Sequence, residues 1–67
     1  MDKRFIIRDD EEMLYWNDWN DFSNNIWSAF QFEYEYEAVE TIRNFTNSYP
    51  EYNNRLNVYK VNLVIED

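Results

Sequence analysis

The fold of this chain depends most on residues 33–50, which read EYEYEAVETIRNFTNSYP. The apolar residues of this stretch recur at the spacing of one helix face. They are Ala38, Val39, Ile42, Phe45 and Tyr49. Acidic side chains stand at the start, where the helix dipole favours negative charge, and Pro50 cannot continue a helix. The stretch therefore predicts a helix over Glu33–Tyr49.

Extended segments are expected on both sides of this helix. Between Lys3 and Arg8, alternation places Phe5 and Ile7 on one face of a strand. A short aromatic segment, Ile26–Phe32, is predicted as another strand with Phe30 and Phe32 on one face. The β-branched content of the last segment, Leu56–Ile65, predicts a strand. Its shared face holds Tyr59, Val61, Leu63 and Ile65.

Residues 9–31 allow two interpretations. In the first, Asp9-Asp10-Glu11-Glu12 interrupts two apolar runs as the tip of a hairpin. In the second, Asp9 caps a helix, with Glu12 three residues later as in a capping box. Apolar residues at helical spacing would then follow, at Trp16, Trp19, Phe22, Ile26 and Phe30. The Asn, Asp and Ser side chains of residues 17–25 favour the hairpin, because they compete for backbone hydrogen bonds inside a helix.

The chain contains no glycine, so backbone positions with positive φ should fall to Asn or Asp. Asn24-Asn25 and Asn53-Asn54 are therefore the predicted turns. The element order is then β-β-β-α-β, or β-α-α-β if residues 9–31 are helical. We predict a single α+β domain over residues 1–67, with a small antiparallel β-sheet and one α-helix packed on a face.

Composition argues against catalysis and cofactors. The chain has no His and no Cys, which removes the commonest neutral-pH base, the thiolate nucleophile and the usual zinc ligands. Carboxylate pairs are present, but a catalytic pair needs a desolvated pocket that a domain of 67 residues can scarcely provide. The acidic runs also lack the spacing and the glycine of a calcium-binding loop. We therefore expect no enzyme activity, no metal and no cofactor.

The position of the negative charge is more informative than its total of −8. Residues 9–42 contain ten acidic residues and no Lys or Arg. This placement predicts one continuous acidic face. In an extended conformation Glu33, Glu35 and Glu37 would project about 6.6 Å apart, and in a helix Glu33, Glu37 and Glu40 would form a row.

Such a chain should not bind nucleic acid directly or attach to an anionic membrane, since both are held by Lys and Arg. A concentrated anionic surface with interleaved aromatic rings instead suits the basic groove of a nucleic-acid-binding protein. We therefore predict an inhibitor that acts as a DNA mimic. The predicted partner-binding residues are Asp9, Asp10, Glu11, Glu12, Asp18, Asp21, Glu33, Tyr34, Glu35, Tyr36, Glu37 and Glu40.

Two other interpretations of the same residues stay open. The acidic residues can be a plain solvated surface, because a net charge of −8 is close to ordinary values for small soluble domains. Alternatively, aromatic residues make up 21% of the chain, more than a small core can bury, so exposed rings could pair two copies in a structural or regulatory homodimer. Taken one by one, Tyr34, Tyr36, Trp19 and Phe22 are expected to serve the core or to support the fold rather than to contact a partner.

Several features resemble small phage and low-GC bacterial proteins. They are Phe5-Ile6-Ile7-Arg8, then Ala29-Phe30-Gln31-Phe32, then Glu37-Ala38 in a helix, and a terminal strand of Val, Leu and Ile. Size, acidity and the Asn, Tyr, Phe and Ile bias also resemble phage-encoded anti-defence proteins, including anti-CRISPR proteins that mimic DNA. The resemblance implies a CRISPR effector or host nuclease as partner. With no signal-peptide core or membrane span in the sequence, we expect a cytoplasmic location, that of the host cell if the chain is phage-encoded.

Overall fold

The computed structural model describes residues 3–17 and 21–62. Within them, four strands form one antiparallel sheet in the order β3-β2-β1-β4, and the α-helix packs against β1 and β4. The elements are β1 (Arg4–Asp9), β2 (Leu14–Asn17), β3 (Asp21–Ser23), α1 (Glu35–Ser48) and β4 (Leu56–Val61), with short 3₁₀ helices at Ile26–Ser28 and Pro50–Tyr52. The predicted α+β fold is confirmed.

The β1-β2 hairpin is confirmed, and the alternative of a helix over residues 9–31 is wrong. Arg8 pairs with Tyr15, and Asp9 pairs with Leu14. The acidic residues after Asp9 form the turn, as predicted. Asp9 itself stabilises this turn, because its Oδ1 accepts a hydrogen bond from the Glu11 backbone N–H at 3.0 Å.

The hairpin turn contains a residue whose backbone conformation the sequence did not predict. Met13 has a φ of +60°, in the left-handed region that disfavours side chains with a Cβ. The predicted turn at Asn53-Asn54 does follow the Asn rule, with a φ of +66° at Asn54. At Asn24-Asn25, by contrast, Asn25 has an extended backbone with a φ of −98°.

Replacing Met13 with glycine should raise the free energy of unfolding by about 0.5–1 kcal/mol, because glycine adopts positive φ without steric cost. Urea denaturation followed by circular dichroism measures the change. Asn54→Gly is the matched control and should gain only a few tenths of a kcal/mol, since Asn already tolerates this conformation. Equal gains for both variants would contradict the assignment of strain to Met13.

The predicted strand over Ile26–Phe32 is wrong. Asn25 accepts a hydrogen bond from the Trp27 backbone N–H at 3.0 Å, which caps a 3₁₀ helix over Ile26–Ser28. Phe32 forms an isolated bridge to Phe5 through two backbone hydrogen bonds of 2.8 and 2.9 Å, and the Phe30 N–H donates to the Trp16 carbonyl of β2 at 3.0 Å. The third strand is instead the short β3, which pairs with β2.

The predicted helix is confirmed with slightly shorter bounds. It begins at Glu35, because Tyr34 has an extended backbone and occupies the N-cap position. It ends at Ser48, where the Tyr49 N–H bonds to the Phe45 carbonyl, and Pro50 begins a 3₁₀ helix. The final strand ends earlier than predicted, at Val61. The predicted positions Leu63 and Ile65, like Asp18 and Trp19, lie outside the described residues.

The core lies between α1 and one face of the sheet. Its buried residues are Ile7, Trp16, Phe32, Ala38, Phe45 and Leu56, with Phe5, Phe22, Ile42, Tyr52 and Val58 packed against them. Phe5 and Ile7 share this face, as the alternation predicted. No helix among the described residues has the length and hydropathy to cross a membrane.

Candidate partner-binding surface

The predicted acidic residues lie in separate places. The acidic turn follows the last residue of β1, whereas Glu33 follows Phe32, which pairs with Phe5 near the start of β1. The five residue steps from Phe5 to Asp10 span about 16 Å in an extended strand. Asp21 lies on the edge strand β3, and Asp18 lies outside the described residues. The acidic residues therefore do not form the single continuous face that the sequence predicted.

Asp9 cannot serve as a partner-binding residue, contrary to the prediction, because only 1% of it is exposed. Its carboxylate accepts two hydrogen bonds from the guanidinium of Arg55, with the Nε to Oδ1 distance at 3.1 Å. Burial raises the pKa of this carboxyl, but hydrogen bonds from Arg55 and the Glu11 N–H, with the charge of Arg55, outweigh it. The net result is a pKa below the ordinary Asp value.

Asp10 is also committed to contacts within the chain. Its carboxylate accepts hydrogen bonds from Arg8 at 2.9 Å, Asn57 at 2.6 Å and the Tyr59 hydroxyl at 2.8 Å. The guanidinium of Arg8 lies 5.8 Å from the centre of the Tyr59 ring. This cluster lies on the sheet face opposite the helix. Two of its three hydrogen-bond donors, Asn57 and Tyr59, lie on β4, so Asp10 links the hairpin turn to β4.

Two further predicted acids have arginine partners. Glu11 lies 3.4 Å from the Nε of Arg55, and Glu40 pairs with Arg43 across one helix turn at 3.1 Å. Both glutamates are well exposed, so each pair contributes little to stability. The intrachain pairs reduce the negative charge available at the hairpin turn and at the middle of α1.

We call the five residues Glu33–Glu37 the helix start. Its three glutamates differ from the other acidic residues. Among the described residues, Glu33, Glu35 and Glu37 form no ion pair. Tyr34 and Tyr36 stack on each other with ring centres 5.6 Å apart. They remain 52% and 66% exposed. The helix start therefore combines three uncompensated carboxylates with two accessible aromatic rings.

A groove of about 440 Å³ adjoins the helix start. It is open to solvent and lies between the segment 30–33 and one side of α1. Its lining consists of Phe30, Gln31, Phe32, Glu33, Glu37 and Thr41. Two of the three uncompensated glutamates thus border an aromatic groove.

Nothing in the described ranges forms a metal centre. No group of three or more acidic, His or Cys residues there is placed to hold a metal ion. The carboxylates described above are either paired with arginine or exposed to solvent. The site geometry thus offers charge and aromatic surface for binding.

Sequence reasoning did not identify the arginines that neutralise the hairpin acids. For Arg8 a signal was present, because residues 8 and 10 alternate onto the same side of an extended strand. For Arg55 there was none, since 46 residues separate it from Asp9.

Comparisons with known protein families, curated proteins and solved structures find nothing that matches this chain.

Proposed function

We propose that this protein inhibits a nucleic-acid-binding partner, such as a CRISPR effector or host nuclease, by occupying its basic groove as a DNA mimic. The contact surface is the helix start. The observation that carries the proposal is that Glu33, Glu35 and Glu37 have no ion pair within the described residues, while exposed tyrosines stand between them.

The physical basis is charge and stacking together. A basic groove holds a polyanion by counterion release, and an array of fixed carboxylates can replace the phosphates in that role. The stacked rings of Tyr34 and Tyr36 present faces that a groove built for nucleobases can accept. Such binding requires no catalytic turnover and should weaken steeply with salt.

The test uses the protein as bait in a lysate of a phage-sensitive host. The expected result is capture of a nucleic-acid-binding protein that added DNA or RNA displaces. Changing Glu33, Glu35 and Glu37 together to Gln should weaken the captured complex by at least about tenfold, because the partner's cations lose their counter-charges. Titration of the purified partner at two salt concentrations measures this loss.

The matched control changes Glu12, Glu40 and Glu51 to Gln, which removes the same charge from elsewhere in the chain. We expect a loss of less than about threefold, from the weaker long-range field alone. Equal losses for the two triple variants would contradict the helix start as the contact surface. Capture that nucleic acid does not displace would contradict the mimicry itself.

A homodimer is the second candidate function, and exposed aromatic rings favour it. Trp27 is 55% exposed, and Tyr36, at 66%, is more exposed still. The response to salt separates the two functions in sedimentation experiments. A dimer of chains with charge −8 should strengthen as salt screens their repulsion, whereas binding to a cationic partner should weaken.

A further inference from the structure

The chain binds two of its own arginines with the same combination of groups. Arg55 pairs with the Asp9 carboxylate, and its guanidinium carbon lies 4.6 Å from the centre of the Tyr52 ring. Arg8 pairs with the Asp10 carboxylate and lies 5.8 Å from the centre of the Tyr59 ring. In both places a carboxylate supplies the charge and an aromatic face covers the guanidinium.

The groove beside the helix start contains a third set of these groups. Glu33 and Glu37 supply carboxylates, and Phe30 supplies an aromatic ring that is 36% exposed. Among the described residues, no arginine or lysine pairs with either glutamate. The groove thus offers carboxylates and an aromatic ring, the groups that bind arginine elsewhere in the protein, but no arginine among the described residues pairs with its glutamates.

The ring of Phe30 is held in a fixed position within the groove. Its centre lies 4.7 Å from that of Phe32, at an angle of 71°, and 6.0 Å from that of Trp16. Trp16 and Phe32 are buried members of the core, so the aromatic wall is anchored to the fold. A side chain entering the groove would therefore meet an ordered ring, which lowers the entropic cost of binding.

We propose that this groove receives a single arginine side chain of the partner, with its guanidinium between Phe30 and the carboxylates of Glu33 and Glu37. The inference rests on the proposed function and specifies how the helix start recognises its partner. Arginine fits better than lysine, because its planar group stacks on a ring and bonds carboxylates in a forked geometry. The groove, of about 440 Å³ and open to solvent, has room for a guanidinium.

The test is an NMR titration of the ¹⁵N-labelled full chain at low ionic strength, with acetyl-Gly-Arg-Gly-amide as the probe. The arginine peptide should produce saturable shifts at the backbone amides of residues 30–33, 37 and 41. The lysine analogue should bind more weakly, and the neutral citrulline analogue should not saturate. Shifts spread over all acidic residues, no saturable shift, or equal binding of citrulline would overturn the proposal.

Variants of the same chain locate the site. Phe30→Leu keeps an apolar side chain but removes the ring, and Glu37→Gln removes one carboxylate, so each should weaken the arginine peptide by roughly threefold. Glu35→Gln is the matched control, since Glu35 carries the same charge on the helix start but does not line the groove. It should change the affinity by less than about twofold. An equal effect of Glu35→Gln would overturn the groove as the site.

The outcome separates this inference from the proposed function. If the arginine peptide fails to bind while nucleic acid still displaces a captured partner, the groove is wrong and the inhibitory function stands. If the peptide binds selectively but no partner that nucleic acid displaces is captured, arginine binding in the groove is supported and the proposed function is wrong.

Discussion

Replacing Phe45 with alanine is expected to lower the free energy of unfolding by about 3–5 kcal/mol. The Phe45 ring joins α1 to the sheet and to the second 3₁₀ helix, with its centre 5.8 Å from that of Phe22 and 5.2 Å from that of Tyr52. Its removal leaves a cavity among rings that cannot close around it. A chain of this length has a total stability of only about 3–10 kcal/mol, so this loss is a large fraction of the whole.

Urea denaturation and near-ultraviolet circular dichroism measure this loss. If Phe45→Ala is already unfolded in buffer, Phe45→Leu supplies the value, with an expected loss of about 1–2 kcal/mol. Tyr36→Ala is the matched control in the same helix, since Tyr36 is 66% exposed and should change stability by no more than about 0.5 kcal/mol. A folded Phe45→Ala protein with wild-type stability would contradict the packing described for the core.

Replacing Asp9 with asparagine should have the second largest effect, a loss of about 1.5–3 kcal/mol near neutral pH. The substitution keeps the shape of the side chain but removes the charge that receives two hydrogen bonds from Arg55. One amide hydrogen would also point at the guanidinium. Glu40→Gln is the control, because the exposed pair with Arg43 should contribute less than about 0.5 kcal/mol.

The pH dependence of this loss identifies its cause. The pKa of Asp9 is lower in the folded chain than the ordinary value near 4 of the unfolded chain. Its contribution is therefore fully present above that ordinary pKa and disappears as pH falls through the lower folded pKa. The stability difference between wild type and Asp9→Asn should be constant from neutral pH to about pH 5 and shrink below pH 4. A difference that does not change with acid would show that packing, not charge, is responsible.

The binding predictions concern the glutamates of the helix start, which neither Phe45→Ala nor Asp9→Asn changes. The glutamates of the helix start are solvent-facing. Changing them to Gln removes their mutual repulsion but also the favourable interaction of Glu35 and Glu37 with the helix dipole, so we expect only a small net change in stability. Loss of binding in the triple Gln variant can therefore be attributed to the surface. Circular dichroism of each variant confirms that its fold is intact before the affinities are compared.

The parts of the fold that the sequence predicted are those set by interactions between residues close together in the chain. The helix over residues 33–50 was predictable because its apolar period, acidic start and Pro50 stop all act within a few residues. The segment 26–32 was not, because the cap from Asn25 begins a 3₁₀ helix over Ile26–Ser28 despite the aromatic, strand-like composition, and the segment forms a β-bridge only at Phe32. Met13 was missed for a similar reason, since hairpin closure imposes its φ regardless of residue preference.

By itself, the amino-acid sequence predicted the α+β class, the main helix and the sign of the charge, and it favoured the hairpin over a helix at residues 9–31, since each depends on composition or on neighbours along the chain. Only the tertiary structure decided which acids are available to a partner. It buries Asp9 against Arg55, 46 residues away, and ties Asp10 to Arg8 and Tyr59, while Glu33, Glu35 and Glu37 keep no such partner among the described residues. The reason is that charge compensation depends on distance in space, which chain folding sets and sequence separation does not.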